Sequence, residues 1–228
     1  MDTEAPIFYH SRFTSMRTLI RLLALCSLGL CATPARGAAE APKADTLPPR
    51  VEIRGEWFYV DGEPFLIKGI GYSPYRPGQL PWKDKVDLAL MAKDFQRIRD
   101  VGFNTLRTWS PLSPEALTLA EQHGLMVLQG IWVERGSNYG SEAFREALLQ
   151  IVRQEVERVK GHRNILAFLV GNELNTASVY QAGIPQIESL FRRVAKTVKD
   201  TDPTRFVSYA NWPALSFLDT SGWDAVCF

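Results

Sequence analysis

The sequence predicts an α/β protein of the (β/α)8 TIM-barrel class, incomplete at about six βα units and preceded by a short β-hairpin. Three observations carry that expectation. From residue 65 onward, short apolar runs alternate with amphipathic segments of helical period, the pattern of parallel strands covered by helices. The run AFLVGN at 167–172 is apolar without polar alternation, as a strand buried on both faces is. An open doubly wound sheet would share both features. However, no Gly-x-Gly-x-x-Gly follows the first run, and FLIKGIGYSP leads into a proline-rich loop instead of a helix start, which favours the barrel.

The elements follow in order. Two strand-like runs flank Asp61-Gly62, a strong hairpin turn pair, over residues 51–64. Residues 65–72 read as the first barrel strand. Residues 85–101 read as a helix with Leu88, Met91, Phe95 and Ile98 on one face and Gly102 as its stop. A strand is expected over 103–109. Ser113 then caps a helix with Pro114 in its first turn, ending at His123-Gly124. Residues 125–133 form the next strand, and 141–160 a long helix turning Phe144, Leu148, Ile151, Val152 and Val159 inward. Strand 165–171, helix 185–200, strand 205–209 and a strand beginning at 225 complete the series. Six strands counted from residue 65 are two short of closing an eight-stranded barrel, so the sequence reads as a fragment of one.

Residues 1–37 read as a secretory leader. Arg17 and Arg21 precede an apolar stretch from Leu22 to Ala32, and Ala35 and Gly37 supply small residues for cleavage. The apolar stretch is too short to span a bilayer. Residues 1–15 extend the basic region, which makes Met16 a candidate start. Residues 38–50, rich in Ala and Pro, read as a linker. The expected location is secreted or periplasmic, with no stable membrane insertion after cleavage. Loss of the leader removes four arginines and two acids, turning the net charge from +1 to −1. Cys26 and Cys31 go with it, so Cys227 is left alone and no disulfide framework is expected. With 22% charged residues nearly balanced in sign, the chain has no electrostatic footprint for nucleic acid.

In a barrel the chemistry collects at the C-terminal ends of the strands. There the sequence offers Tyr72; Arg107 and Trp109; Trp132 and Glu134; Asn172 and Glu173; and Asn211 and Trp212. Indole faces and amides suit the C–H faces and hydroxyls of sugars, so a carbohydrate substrate is expected. Metal chemistry is poorly supplied, because His123 and His162 fall at the opposite face, so no metal or other cofactor is expected. Glu134 reads either as a substrate contact or as a surface acid paired with Arg135. Arg107 reads as a site residue or as half of an ion pair in the barrel mouth, and Asn172 as a site residue or a turn cap.

Four segments carry a resemblance: PFLIKGIGYSPYRPG, DFQRIRDVGFNTLRTWS, AEQHGLMVLQG and HRNILAFLVGNELN. Together they resemble the catalytic barrel of clan A glycoside hydrolases, most of all family two, the β-galactosidase and β-glucuronidase group, across residues 51–228. The resemblance implies a retaining β-glycosidase. Glu173 is then the general acid/base, Asn172 holds the sugar 2-hydroxyl, and Arg107 supports the nucleophile. That nucleophile lies on the seventh strand, beyond this sequence. Where the family often has Trp-Ser before the Gly-Asn-Glu segment, this chain has Phe168, Leu169 and Val170. A β-glucan transglycosylase-like enzyme shares the opening pattern. A non-catalytic carbohydrate-binding or polysaccharide accessory barrel is the remaining alternative.

Overall fold

The computed structural model describes residues 51–80 and 84–227. The leader and linker expectations, with Cys26 and Cys31, fall outside the described residues.

The chain begins with an antiparallel sheet of β1 (Val51–Arg54), β2 (Trp57–Val60) and β3 (Glu63–Phe65), in that order. Asp61 and Gly62 turn β2 into β3 with φ of 52° and 86°, the paired left-handed geometry of a two-residue hairpin. The sequence reading missed a second turn. Gly55, at φ 60°, reverses the chain between β1 and β2, so the expected two-stranded hairpin has three strands. Phe58 meets Phe206 edge-on, with ring centroids 6.3 Å apart, which places this sheet against the N-terminal end of a barrel strand.

Six parallel strands follow: β4 (Gly69–Gly71), β5 (Thr105–Arg107), β6 (Met126–Ile131), β7 (Ile165–Asn172), β8 (Phe206–Ala210) and β9 (Ala225–Cys227). They pair in chain order, each with the next. Helices α1 (Leu88–Asp100), α2 (Pro114–Gln122), α3 (Glu142–Arg158), α4 (Thr176–Ala182) and α5 (Ile184–Thr201) form the connections. The expected strand over 65–72 is broken in two. Phe65 pairs with β2, and the chain joins the parallel sheet only at Gly69; the segment between is held by the Asn104 side chain, which accepts from Lys68 N–H and donates to Leu66 C=O.

Caps set the helix starts: α2 and α3 begin where the sequence put them, whereas α1 begins at Leu88, three residues later than expected, behind its cap Asp87. Asp87, Ser113 and Ser141 each accept a backbone N–H of the first turn through a side-chain oxygen. Two inward assignments are corrected. Leu88, the first residue of α1, is exposed. Ile151 is exposed because the buried stripe of α3 runs through Leu148, Leu149, Val152 and Val156, and Leu149 takes its place. The sequence reading also passed over α4, a short helix capped by Asn175.

At the N-terminal end of β8, Asp202 and Arg205 form a buried ion pair at 3.0 Å. Thr204 donates its N–H and hydroxyl to the other carboxylate oxygen, and Arg205 donates to His162 C=O. Burial alone would raise the Asp202 carboxyl; the Thr204 hydrogen bonds and the Arg205 charge outweigh it and hold it below the usual carboxylate range. A lowered folded value means stability that is present above the unfolded value and lost as pH falls through the folded one. Asp202→Asn is expected to cost about 3 kcal/mol near neutral pH, because it strands a buried guanidinium. The gap from wild type should narrow below about pH 4, where the unfolded carboxyl is already protonated. Urea unfolding at pH 7 and pH 3 measures both, and an equal gap at the two values would contradict the assignment.

Candidate active site

Alternation along the strands sorts the side chains into two sets. Leu106, Val127, Ile131, Val133, Phe168, Val170, Val207 and Tyr209 belong to the core between sheet and helices. The residues between them, including Arg107, Gly130, Leu169, Ser208 and Ala210, therefore face the barrel interior. Asn172 faces the same way, since its Oδ1 accepts from Arg107 Nη2 at 2.5 Å.

At the tip of β7 the alternation stops. Its register against β8 shifts between Leu169 and Asn172, a bulge of the kind that re-aims side chains beside active sites. Gly171 has φ 81° and Glu173 φ 45°, so a carboxylate residue occupies the left-handed region. That conformation costs ~1–3 kcal/mol in a non-glycine residue and persists only where the surroundings fix it. Here they do. Glu173 N–H donates to Ala210 C=O at 2.8 Å, and Leu174 N–H donates to the Tyr209 hydroxyl at 2.5 Å. Arg135 Nε donates to Glu173 C=O at 2.7 Å, while Nη2 stands 3.7 Å from the Glu173 carboxylate. The carboxylate itself stays open to solvent, with 41% of its side chain exposed.

Arg107 links the strands of the mouth. Its guanidinium stacks on Trp109, 4.1 Å from the ring centroid, and Nη1 is buried with no hydrogen-bond partner among the described residues. Burial pushes the guanidinium down from its ordinary value, against the opposing pull of the Cys227 thiol and Glu173. Burial also pushes the Cys227 thiol up, with Arg107 acting the other way. Two glycines make room for this arrangement. A Cβ on Gly71 would stand 2.8 Å from the Trp109 indole, and one on Gly130 only 2.1 Å from Thr108 C=O.

Arg107, Trp109, Asn172 and Glu173 thus come together at the strand ends. Trp132 and Trp212 sit at the ends of the flanking strands β6 and β8, 45% and 43% exposed. Glu134 is exposed, and its C=O accepts from the Tyr139 hydroxyl. Of the two readings of Glu134, the ion pair with Arg135 does not form, because Arg135 is engaged with Glu173. Tyr72 turns away from the mouth: it is buried against Phe95 of α1 and its hydroxyl donates to Asp94. Asn211 is buried and caps its own turn, accepting from Trp212 N–H. Neither lines the site, because the strand parity behind each directs it elsewhere. Arg135, Tyr209 and Gly130 were missed as site residues, and the Gly-rich stretch after β6 hinted only at Arg135.

The other acids lie elsewhere. Asp200 pairs with Lys196, and Glu188 on α5 accepts from Asp219 N–H. Asp224, before β9, accepts from Val207 N–H and pairs with Lys199. Among the described residues, no group of three or more His, Cys, Asp or Glu could hold a metal ion, and no helix is long and apolar enough to cross a membrane.

Residues 51–224 match the profile of glycosyl hydrolases family 2, TIM barrel domain. Mouse β-glucuronidase is 28% identical over 168 residues, covering 72% of this chain and 25% of that protein. β-Galactosidase 2 of Enterobacter cloacae is 27% identical, covering 78% and 16%. Among solved structures, the β-D-glucuronidase of Dictyoglomus thermophilum superposes with a TM-score of 0.64 at 27% identity, over 78% of this chain and 32% of that one. The chain therefore spans about a quarter of the length of a relative such as the mouse enzyme. The half-open parallel sheet, the bulged tip of β7 and the match across nearly all of the described residues agree: this chain belongs to glycosyl hydrolases family 2, through that family's TIM-barrel domain.

Proposed function

We propose that this chain supplies the acid/base half of a retaining β-glycosidase acting on O-glycosyl bonds, with Glu173 as the general acid/base. The observation that carries this reading is the tip of β7. A carboxylate is held there in a costly backbone conformation by three neighbours, yet left open to solvent beside the Asn172–Arg107 pair. Asn172 holds the sugar 2-hydroxyl. Arg107, whose Nη1 has no partner among the described residues, orients the second carboxylate, which retention requires at ~5–5.5 Å from the first. That nucleophile is proposed to lie outside this sequence. Trp109, Trp132 and Trp212 contact the substrate, and Glu134 is a solvent-facing contact at the rim.

Stereochemistry tests the reading. Proton NMR of the first product released by the natural protein from an aryl β-glucuronide or β-galactoside should show the β anomer. An α anomer as first product would mean inversion, and Glu173 could then serve as acid or base but not as both. Export belongs to the same proposal and rests on the leader's composition. Mass spectrometry of the protein from its host should find residues 16–37 missing, and an intact N-terminus would contradict it.

A further inference from the structure

The loop after β6 and the turn after β7 are tied to each other in both directions. Arg135 Nε donates to Glu173 C=O at 2.7 Å, and Asn175 N–H donates to Arg135 C=O at 3.4 Å. The guanidinium is thereby fixed beside the Glu173 carboxylate, with Nη2 at 3.7 Å, too far for a hydrogen bond but close enough for charge to act. Among the described residues no other carboxylate pairs with Arg135, neighbouring Glu134 included. Its Nη1 and Nη2 have no hydrogen bond among the described residues, and 49% of the side chain is exposed. A pinned cation with uncommitted donors thus faces solvent beside the proposed proton donor.

The charge on that donor alternates during the reaction. To break the glycosidic bond, Glu173 must hold a proton, which passes to the leaving oxygen as the C–O electron pair moves onto it. Before the transfer the carboxyl is neutral and Arg135 is without its counter-charge; afterwards the carboxylate is restored. Proton transfer requires the leaving oxygen within ~2.6–3.2 Å of the carboxyl, which brings substituents of the leaving group within reach of Arg135. Resting on the acid/base reading of Glu173, we infer that Arg135 is a specificity-determining residue that takes a carboxylate on the leaving group, such as the second residue of an acidic glycan carries. Its two uncommitted nitrogens suit a bidentate carboxylate pair. The substrate anion supplies the counter-charge while Glu173 is protonated. Once the bond breaks, the new Glu173 carboxylate competes for Arg135 and repels the departing anion, which favours release.

A matched pair of non-hydrolysable ligands separates charge from shape. 3-Carboxyphenyl and 3-carbamoylphenyl 1-thio-β-D-glucuronide, and the corresponding β-D-galactosides, are titrated by calorimetry into the natural protein and its Glu173→Gln variant. The glutamine amide stands in for the protonated acid. In the series that binds, the carboxylate is expected about two- to fivefold tighter than the amide in Glu173→Gln, the range of a partly exposed ion pair. Wild type, where the Glu173 carboxylate competes, should show a smaller ratio. Adding Arg135→Gln to Glu173→Gln should bring the ratio to one, and adding Arg135→Lys instead should keep part of it. A change that merely loosens the tip weakens both ligands alike and leaves the ratio where it was. A ratio near one in Glu173→Gln, a ratio no larger there than in wild type, or one that survives Arg135→Gln would overturn the assignment. The acid/base reading would still stand, since it is tested by turnover. Binding of neither ligand in either series would overturn both.

Discussion

Glu173→Gln in the natural protein is expected to reduce turnover of alkyl β-glycosides by ~10²–10⁴-fold, the contribution of a positioned general acid. Activated aryl glycosides, whose leaving groups depart without a proton, should lose far less in the bond-breaking step. The substitution is nearly isosteric. The backbone bonds from Glu173 to Ala210 and Arg135 do not involve the carboxylate, so the local geometry should survive. The split between the two substrate types is therefore the informative quantity. It is read as kcat/KM for an alkyl and a dinitrophenyl glycoside on both proteins. Equal losses would assign Glu173 a purely positional part and send the search for the acid to Glu134.

Gly130→Ala should be the most damaging small substitution in the described chain. A Cβ there would lie 2.1 Å from Thr108 C=O and 2.6 Å from the Trp109 carbonyl, all main chain just past the end of β5. A flexible side chain could swing aside; main chain whose Thr108 N–H is bonded to Leu128 C=O of β6 cannot. Thr108 also spends its hydroxyl on Gly130 N–H at 3.0 Å, so the strands cannot part without losing that bond. The expected cost is about 3 kcal/mol or more, at or above the upper end for overpacking. Because Trp109 carries the Arg107 stack, the near-ultraviolet signal of the indoles should change with it. Gly136, five residues past the end of β6 and with open space around it, is the internal control. Gly136→Ala should stay within ~0.5 kcal/mol, as surface changes usually do. Similar urea midpoints for the two variants would show that β5 and β6 are not held as closely as this.

Most of the fold was legible in the sequence, because its signals are local. Ser113 and Ser141 sit one residue before periodic apolar stripes, and a cap needs only its own first turn. Gly102 and Gly124 follow their helices with φ of 93° and 64°, a conformation that their lack of a Cβ makes available. The strand ends could be found by the same means, and with them Arg107, Asn172 and Glu173. Where the local reading failed, a partner outside the run itself had decided. Phe65 joined the antiparallel sheet because Phe58 was across from it, so the run that looked like one strand became two. Tyr72 lay at a strand end as expected, but the parity of β4 turned it onto Asp94 and Phe95. Pairing with Arg135 was one of two readings of Glu134, and the fold decided against it by bringing Arg135 to Glu173, 38 residues away.

Sequence by itself determined which residues could reach the mouth of the barrel, since burial and helical or strand period are properties of a short stretch of chain. Tertiary structure alone decided which of them face one another. Strand register, the bulge before Asn172 and the left-handed turn at Glu173 depend on hydrogen bonds from β8 and from the loop after β6. A one-residue change in register sends every side chain to the other face, and no property of the stretch AFLVGNELN on its own records which face was chosen.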